Sequence, residues 1–230
     1  MPYVIAQMIS ETTPALWGEA SAYRRENLYA IRPGALTPVN YDTHILNSHS
    51  LTHVEAETHV VEGGRSLDHY LQRPAHFFGP AVVVKLPGDR YHPHWEVSAD
   101  ELRANLGRVL AGREFPGKLL LTTAVTPKTS AGYHDPASVL TLSPEAARHL
   151  ADLPNFTLFG TTWKSSDHRP GSPERPVHKT LLARGIILEC LELAHVPEGI
   201  YFLSAFPLPI KGASESPACP VLFTCEELSF

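Results

Sequence analysis

His49-Ser-Leu-Thr-His53-Val-Glu55-Ala-Glu57-Thr-His59 is the run on which the reading of this chain turns. Its odd positions are His, Leu, His, Glu, Glu and His. In an extended chain these share one face, while Ser50, Thr52, Val54, Ala56, Thr58 and Val60 take the other. A face of imidazoles and carboxylates is costly to bury unless a cation compensates it. On one strand face His53 and Glu55 stand about 6.6 Å apart, within side-chain reach of a shared ion. His49 and His53 would be about 13 Å apart in a straight strand, too far for one ion. A helix would join 49 and 53 but send Glu55 elsewhere. The chain is therefore expected to turn between 49 and 53 and then run extended, within a partly alternating stretch over 43–61. Imidazole plus carboxylate suits Zn²⁺, Mn²⁺ or Fe²⁺ better than Ca²⁺. A solvated edge strand would show the same polar face, and spacing alone does not separate the two readings. His59 lies beyond the ligand positions, where a neutral imidazole beside a metal could move a proton. A polar strand-end residue is the alternative there.

Working outward, residues 1–40 read as irregular, broken by Pro14, Pro33 and Pro38. Pro80 to Leu86 is a short β-branched run ended by Pro87-Gly88 and reads as a buried strand. Ser98 to Leu110 is a helix, with Ser98 as cap and Glu101 three residues on. Lys118 to Val125 is a strand, and Ser143-Pro144 opens another helix. Phe156 to Thr162 is a strand followed by a polar loop over Lys164 to Pro176. His178 to Arg184 reads as a short helix closed by Gly185, then Ile186 to Leu193 and Gly199 to Ala205 as strands. Strands interspersed with a few helices make the class mixed α and β, with residues 1–230 expected to form one domain.

Hydrophobic residues are 43% and charged residues 19% of the 230, ordinary values for a globular chain. With a net charge of −5 there is no basic surface for nucleic acid. Met1 to Ser10 lacks a signal-peptide pattern, and no stretch approaches the roughly 20 apolar residues of a membrane span. Cys190, Cys219 and Cys225 have neither zinc-knuckle nor redox-pair spacing, so a reduced, cytoplasmic setting is expected.

A second candidate half-site follows. Glu189 interrupts an apolar strand, where an unpaired carboxylate is expensive, and the turn at Gly185 lets His178 approach it. A helix-start His and a Glu paired with Arg or Lys account for the same residues. Trp17, Trp95 and Trp163 could line an aromatic pocket or pack in the core, with Trp17 and Trp163 the substrate-binding candidates. His92 and His94 flank Pro93 in what reads as a surface loop, and Asp167-His168 as a solvated loop or lid. Cys190, next to Glu189, reads as a small core residue on the strand.

Taken together these segments resemble the cyclase family of metal-dependent hydrolases, which includes bacterial kynurenine formamidase and isatin hydrolase. That family is marked by His-x-Gly-Thr-His-x-Asp-x-Pro-x-His. All three His and the Thr match in register here, with Leu51 for Gly, Glu55 for Asp and Glu57 for Pro. The likeness continues through Ser66 to Leu71, Gly79 to Val84, Leu142 to Ala147, Leu158 to Thr162, His178 to Glu189, Pro207 to Gly212 and Ser216-Pro217. Thr161 stands where the family often has Asp, and Cys219 where it often has Arg.

The resemblance implies a swivelling β/β/α-type fold and one or two divalent ions, Zn or Mn. It assigns His49, His53 and Glu55 as first ligands, His178 and Glu189 as ligands of a second ion sharing Glu55, and His59 as general base. It also implies a homo-oligomer, and hydrolysis of a C–N amide or lactone bond in a small aromatic or cyclic substrate, with metal-activated water as nucleophile. The changed Leu51, Glu55 and Glu57 leave two alternatives, a metal-dependent cyclase or dehydratase and a catalytically silent binding relative. They also lead to the expectation that Glu57 adds negative charge near the site and that Leu51 reshapes the pocket.

Overall fold

The computed structural model describes residues 1–87, 95–126, 128–130, 132–133, 135, 137–167 and 174–228. His92, His94 and His168, and Gly88 at the expected strand end, lie outside them. The strands are β1 (Tyr3–Val4), β2 (Tyr23–Tyr29), β3 (Tyr41–Leu46), β4 (His53–Glu55), β5 (Phe78–Leu86), β6 (Trp95–Val97), β7 (Lys118–Thr123), β8 (Leu140–Leu142), β9 (Leu158–Thr161), β10 (Ile186–Glu189), β11 (Gly199–Ser204), β12 (Glu215–Pro217) and β13 (Val221–Phe223). The α-helices are α1 (Leu67–Leu71), α2 (Ala99–Leu110), α3 (Pro144–Ala151) and α4 (Pro176–Leu182).

Among the described residues nine strands make one sheet in the order β1-β13-β11-β5-β7-β9-β10-β4-β12. Its centre, β5-β7-β9-β10, is parallel, and antiparallel strands extend it on both sides. Parallel centres need both faces covered, which accounts for the near-continuous apolar runs. Alternation divides them: Val82, Val84, Leu119, Leu121 and Ile187 pack beneath α2, α3 and α4. Val83, Leu120, Ile186 and Leu188 face a second core with Tyr70, Phe77 and Leu203. The class is mixed α and β, as the element order implies.

Local chemistry explains the helix starts. Ser98 Oγ accepts from Glu101 N at 3.2 Å, and Ser143 Oγ from Ala146 N at 3.0 Å ahead of Pro144. Each such cap is worth about 1 kcal/mol. Gly185 closes α4 for a different reason than a left-handed turn. A Cβ there would sit 2.4 Å from Thr157 O, so the chain can return beside β9 only without a side chain.

Three expectations need correction. Residues 1–40 are not wholly irregular: β1 pairs with β13 in the main sheet, and β2 pairs with β3 as a long hairpin. Long-range register, invisible locally, recruits both. The strand expected over Ile186 to Leu193 stops at Glu189, because Cys190 takes φ +59°. The run expected to stay extended past Glu55 instead turns again at Glu57–His59.

Candidate metal centre

His49 sits on the single 3₁₀ turn Ser48–Ser50, closed by Leu51 N donating to Ser48 O. The chain then enters β4 with His53 and Glu55 on one face, both buried. β4 pairs antiparallel with β10, and the register sets His53 opposite Glu189. The turn after Ala56 brings His59 back over Glu55. α4, leading into β10, contributes His178.

These elements converge on Glu55. Its Oε1 lies 3.3 Å from His49 Nδ1, 3.3 Å from His53 Nε2 and 3.4 Å from His59 Nε2. Its Oε2 lies 3.2 Å from His178 Nε2, yet finds no properly aligned hydrogen-bond donor among the described residues. His49 Nδ1 and His53 Nε2 are 3.1 Å apart. Glu189 Oε1 is 3.6 Å from His178 Nε2, and its Oε2 is 4.0 Å from His53 Nε2. Donor atoms of His49, Glu55 and His59, and of His53, Glu55 and Glu189, form two mutually close triplets sharing Glu55.

Neighbours hold the donors in place. His53 Nδ1 meets Leu51 O at 2.8 Å, so Nδ1 donates there and Nε2 turns to Glu55. Leu51 itself is buried. His178 Nδ1 is 2.5 Å from Asp167 Oδ2, and that carboxylate also accepts from Val177 N and His178 N. Ser166 donates from N and Oγ to Glu189 Oε1 at 2.6 and 2.7 Å. Fixing the outer nitrogen of an imidazole in this way is how metal-binding histidines are oriented.

Charge is settled within the cluster. Burial disfavours the Glu55 carboxylate, but the facing His178 charge holds its pKa well below the usual range. Burial likewise opposes the imidazolium of His178, which Glu55 and Asp167 nonetheless raise to about 10. Glu189 is pushed up, first by burial and then by the Glu55 charge. His59 is lowered, chiefly by burial, which favours the neutral ring.

The structure therefore brings together His49, His53, Glu55, His59, His178 and Glu189. It treats the tryptophans differently. Trp17 is 38% exposed, donates Nε1 to His49 O at 3.1 Å, and carries Lys164 Nζ 4.5 Å from its ring centroid. Trp163 is 1% exposed within the helix-side core, not on an open wall. Glu57 adds no free charge, because it is paired with Arg65 at 2.6 Å. Asp167, expected in a solvated loop, is buried against His178. Glu215, 3.7 Å from His49 Nε2, was not singled out by its spacing; the pairing of β12 with β4 sets it opposite Glu55.

A mixed sheet carrying a buried imidazole and carboxylate cluster between a strand pair and a crossover helix defines a candidate divalent-metal centre. The chain belongs to the cyclase family, whose description is putative cyclase and which matches residues 3–168. It is 33% identical over 189 residues to the kynurenine formamidase of Salinibacter ruber, covering 80% of each chain. It is 30% identical over 205 residues to that of Polaromonas naphthalenivorans, covering 88% of this chain and 82% of the relative. A solved structure described as a potential metal-dependent hydrolase with cyclase activity is 25% identical, with TM-score 0.71 over 96% of both chains. Isatin hydrolase A from Labrenzia aggregata, 23% identical, shares the fold with TM-score 0.76 over 97% of this chain and 94% of its own.

Proposed function

We propose that this chain is a metal-dependent hydrolase acting on a C–N amide or lactone bond of a small aromatic or cyclic substrate. The observation that carries this is Glu55, a buried carboxylate set between imidazoles, whose Oε2 lacks an aligned donor among the described residues. The donor set fits a divalent ion. Two imidazole nitrogens 3.1 Å apart beside a shared carboxylate need a proton or a cation between them. Nitrogen and carboxylate donors suit Zn or Mn. His49, His53 and Glu55 would hold a first ion, and Glu55, His178 and Glu189 a second. A bound divalent ion supplies Lewis acidity and lowers the pKa of water.

The chain's own groups do the rest. His59 is 19% exposed at the open side, and its Nε2 can take a proton from the attacking water and return it to the leaving nitrogen. Glu55 Oε1, 3.4 Å away, favours the imidazolium that forms. Trp17, held by His49 O and topped by Lys164, offers a flat apolar edge to an aromatic substrate. The formamidase names of the relatives make aryl formamides the first substrates to assay, followed by cyclic amides and lactones. The free cysteines fit a reduced cytoplasmic setting, and no described helix is long and apolar enough to cross a membrane.

We also take the chain to be a homo-oligomer. The β2–β3 hairpin leaves Leu28, Tyr29, Ile31, Leu36 and Tyr41 exposed, and a lone two-stranded hairpin is marginal in water.

The test is elemental mass spectrometry of protein purified without added metal, beside His49→Ala/His53→Ala protein, followed by substrate assays. One or two equivalents of Zn or Mn, lost in the variant, is the expected result. No metal taken up, even when supplied, would leave a binding protein as the reading. Product mass separates hydrolysis, which adds a water, from cyclisation or dehydration.

A further inference from the structure

Glu57, expected from the sequence to add charge near the site, is held instead by Arg65. Its Oε2 accepts from Arg65 Nε at 2.6 Å and from Arg65 N at 3.1 Å. The far end of the same guanidinium donates from Nη2 to Leu182 O at 3.1 Å and Ala183 O at 2.8 Å. These carbonyls stand at the C-terminal end of α4, where the last carbonyls of a helix run out of intrahelical donors. Tyr70 OH donates to Leu182 O at 3.3 Å, and the guanidinium carbon lies 5.4 Å from the Tyr70 ring centroid. Gly64 permits the return of the chain, since a Cβ there would lie 2.9 Å from Glu57 Cγ and 3.0 Å from Val61 O. Thr58 N donating to Arg65 O at 3.2 Å completes the closed loop.

Glu57 falls midway between Glu55 and His59, and α4 carries His178. The brace thus joins the turn bearing His59 to the helix bearing His178. The two imidazole centroids are 5.7 Å apart. We propose that Glu57 and Arg65 are positioning residues that set the spacing of His59 and His178 about Glu55. The effect on metal affinity rests on the metal-centre reading above; the effect on the two rings does not. Bridging, rather than charge alone, is the point, because a guanidinium spans two acceptors in one rigid plane and an ammonium does not.

The experiment compares the full-length chain with Arg65→Met, Arg65→Lys and Glu57→Ala variants. Imidazole ¹⁵N resonances report on the rings, and competition with a chromophoric chelator reports zinc affinity. Arg65→Met should move both the His59 and His178 resonances and weaken zinc binding by about tenfold, as lost supporting contacts do. Arg65→Lys should fail to restore either. Unmoved resonances with wild-type affinity in folded Arg65→Met, or full rescue by lysine, would overturn the proposal. Should Arg65→Met not fold, Glu57→Ala decides, since it frees the turn while leaving Arg65 bonded to the Leu182 and Ala183 carbonyls. A moved His59 resonance supports the brace and an unmoved one refutes it. Wild-type protein that takes up no zinc counts against the metal reading alone, and the resonances still judge the brace.

Discussion

His53, Glu55, His178 and Glu189 lie almost wholly inside the protein, whereas His49 and His59 are 32% and 19% exposed. The buried four sit on β4, α4 and β10, and His53, His178 and Glu189 each have a dedicated partner in Leu51 O, Asp167 or Ser166. The two at the rim sit on single 3₁₀ turns. Ionised groups removed from water must be compensated where they stand, so the deep half is built for holding charge. The rim keeps access to solvent and can meet a substrate. Binding and turnover should therefore separate along this division.

Replacing Glu55, which both halves share, is expected to have the largest effect. Glu55→Gln should weaken zinc binding by more than about a hundredfold and remove activity with it, measured by chelator competition and by assay. His59→Ala should split the two properties. Zinc stoichiometry stays at the wild-type value while kcat falls by about 10²–10⁴-fold. An equal loss of zinc would make His59 a ligand, as its closeness to Glu55 and His49 would then require. Asp167→Asn should show the reverse pattern. Zinc affinity drops by about 10–100-fold, and activity returns when zinc is raised to saturation.

The smallest effect is placed far from the centre, as a control. Lys118 is buried at the first position of β7, and burial lowers its pKa to about 8. Unfolded lysine titrates near about 10.4. The folded state therefore sheds this proton first, and stability rises as pH climbs from about 8 toward 10. Lys118→Met should raise Tm at pH 7, with the gain over wild type shrinking by pH 9.5, and leave zinc affinity unchanged. A coupled loss of zinc would show that this edge of β7 and the metal centre on β4, α4 and β10 are not independent.

Much of the fold was legible. Ser98 and Ser143 mark helix starts by chemistry that acts within three residues, and the apolar runs at 80–86 and 118–123 mark strands buried on both faces. The β2–β3 hairpin was not legible, because neither strand alternates cleanly and both faces are exposed. Nor was the turn at Glu57–His59, where period-two spacing suggested a continued strand. There the decisive contact is with Arg65, eight residues on. Asp167 was read as solvated because a loop acid has no local mark of burial. Its partner His178 is eleven residues away in the sequence.

The sequence by itself determined the kinds of donor, their grouping in two segments, and the turn required between His49 and His53, since side-chain type and reach are local properties. The tertiary structure decided which donors meet. Strand register sets Glu189 against His53, the helix that crosses over to β10 carries His178 to Glu55, and a second turn folds His59 back while Glu57 leaves for Arg65. These are contacts between elements, and their geometry exists only once β4, β10 and α4 have packed together.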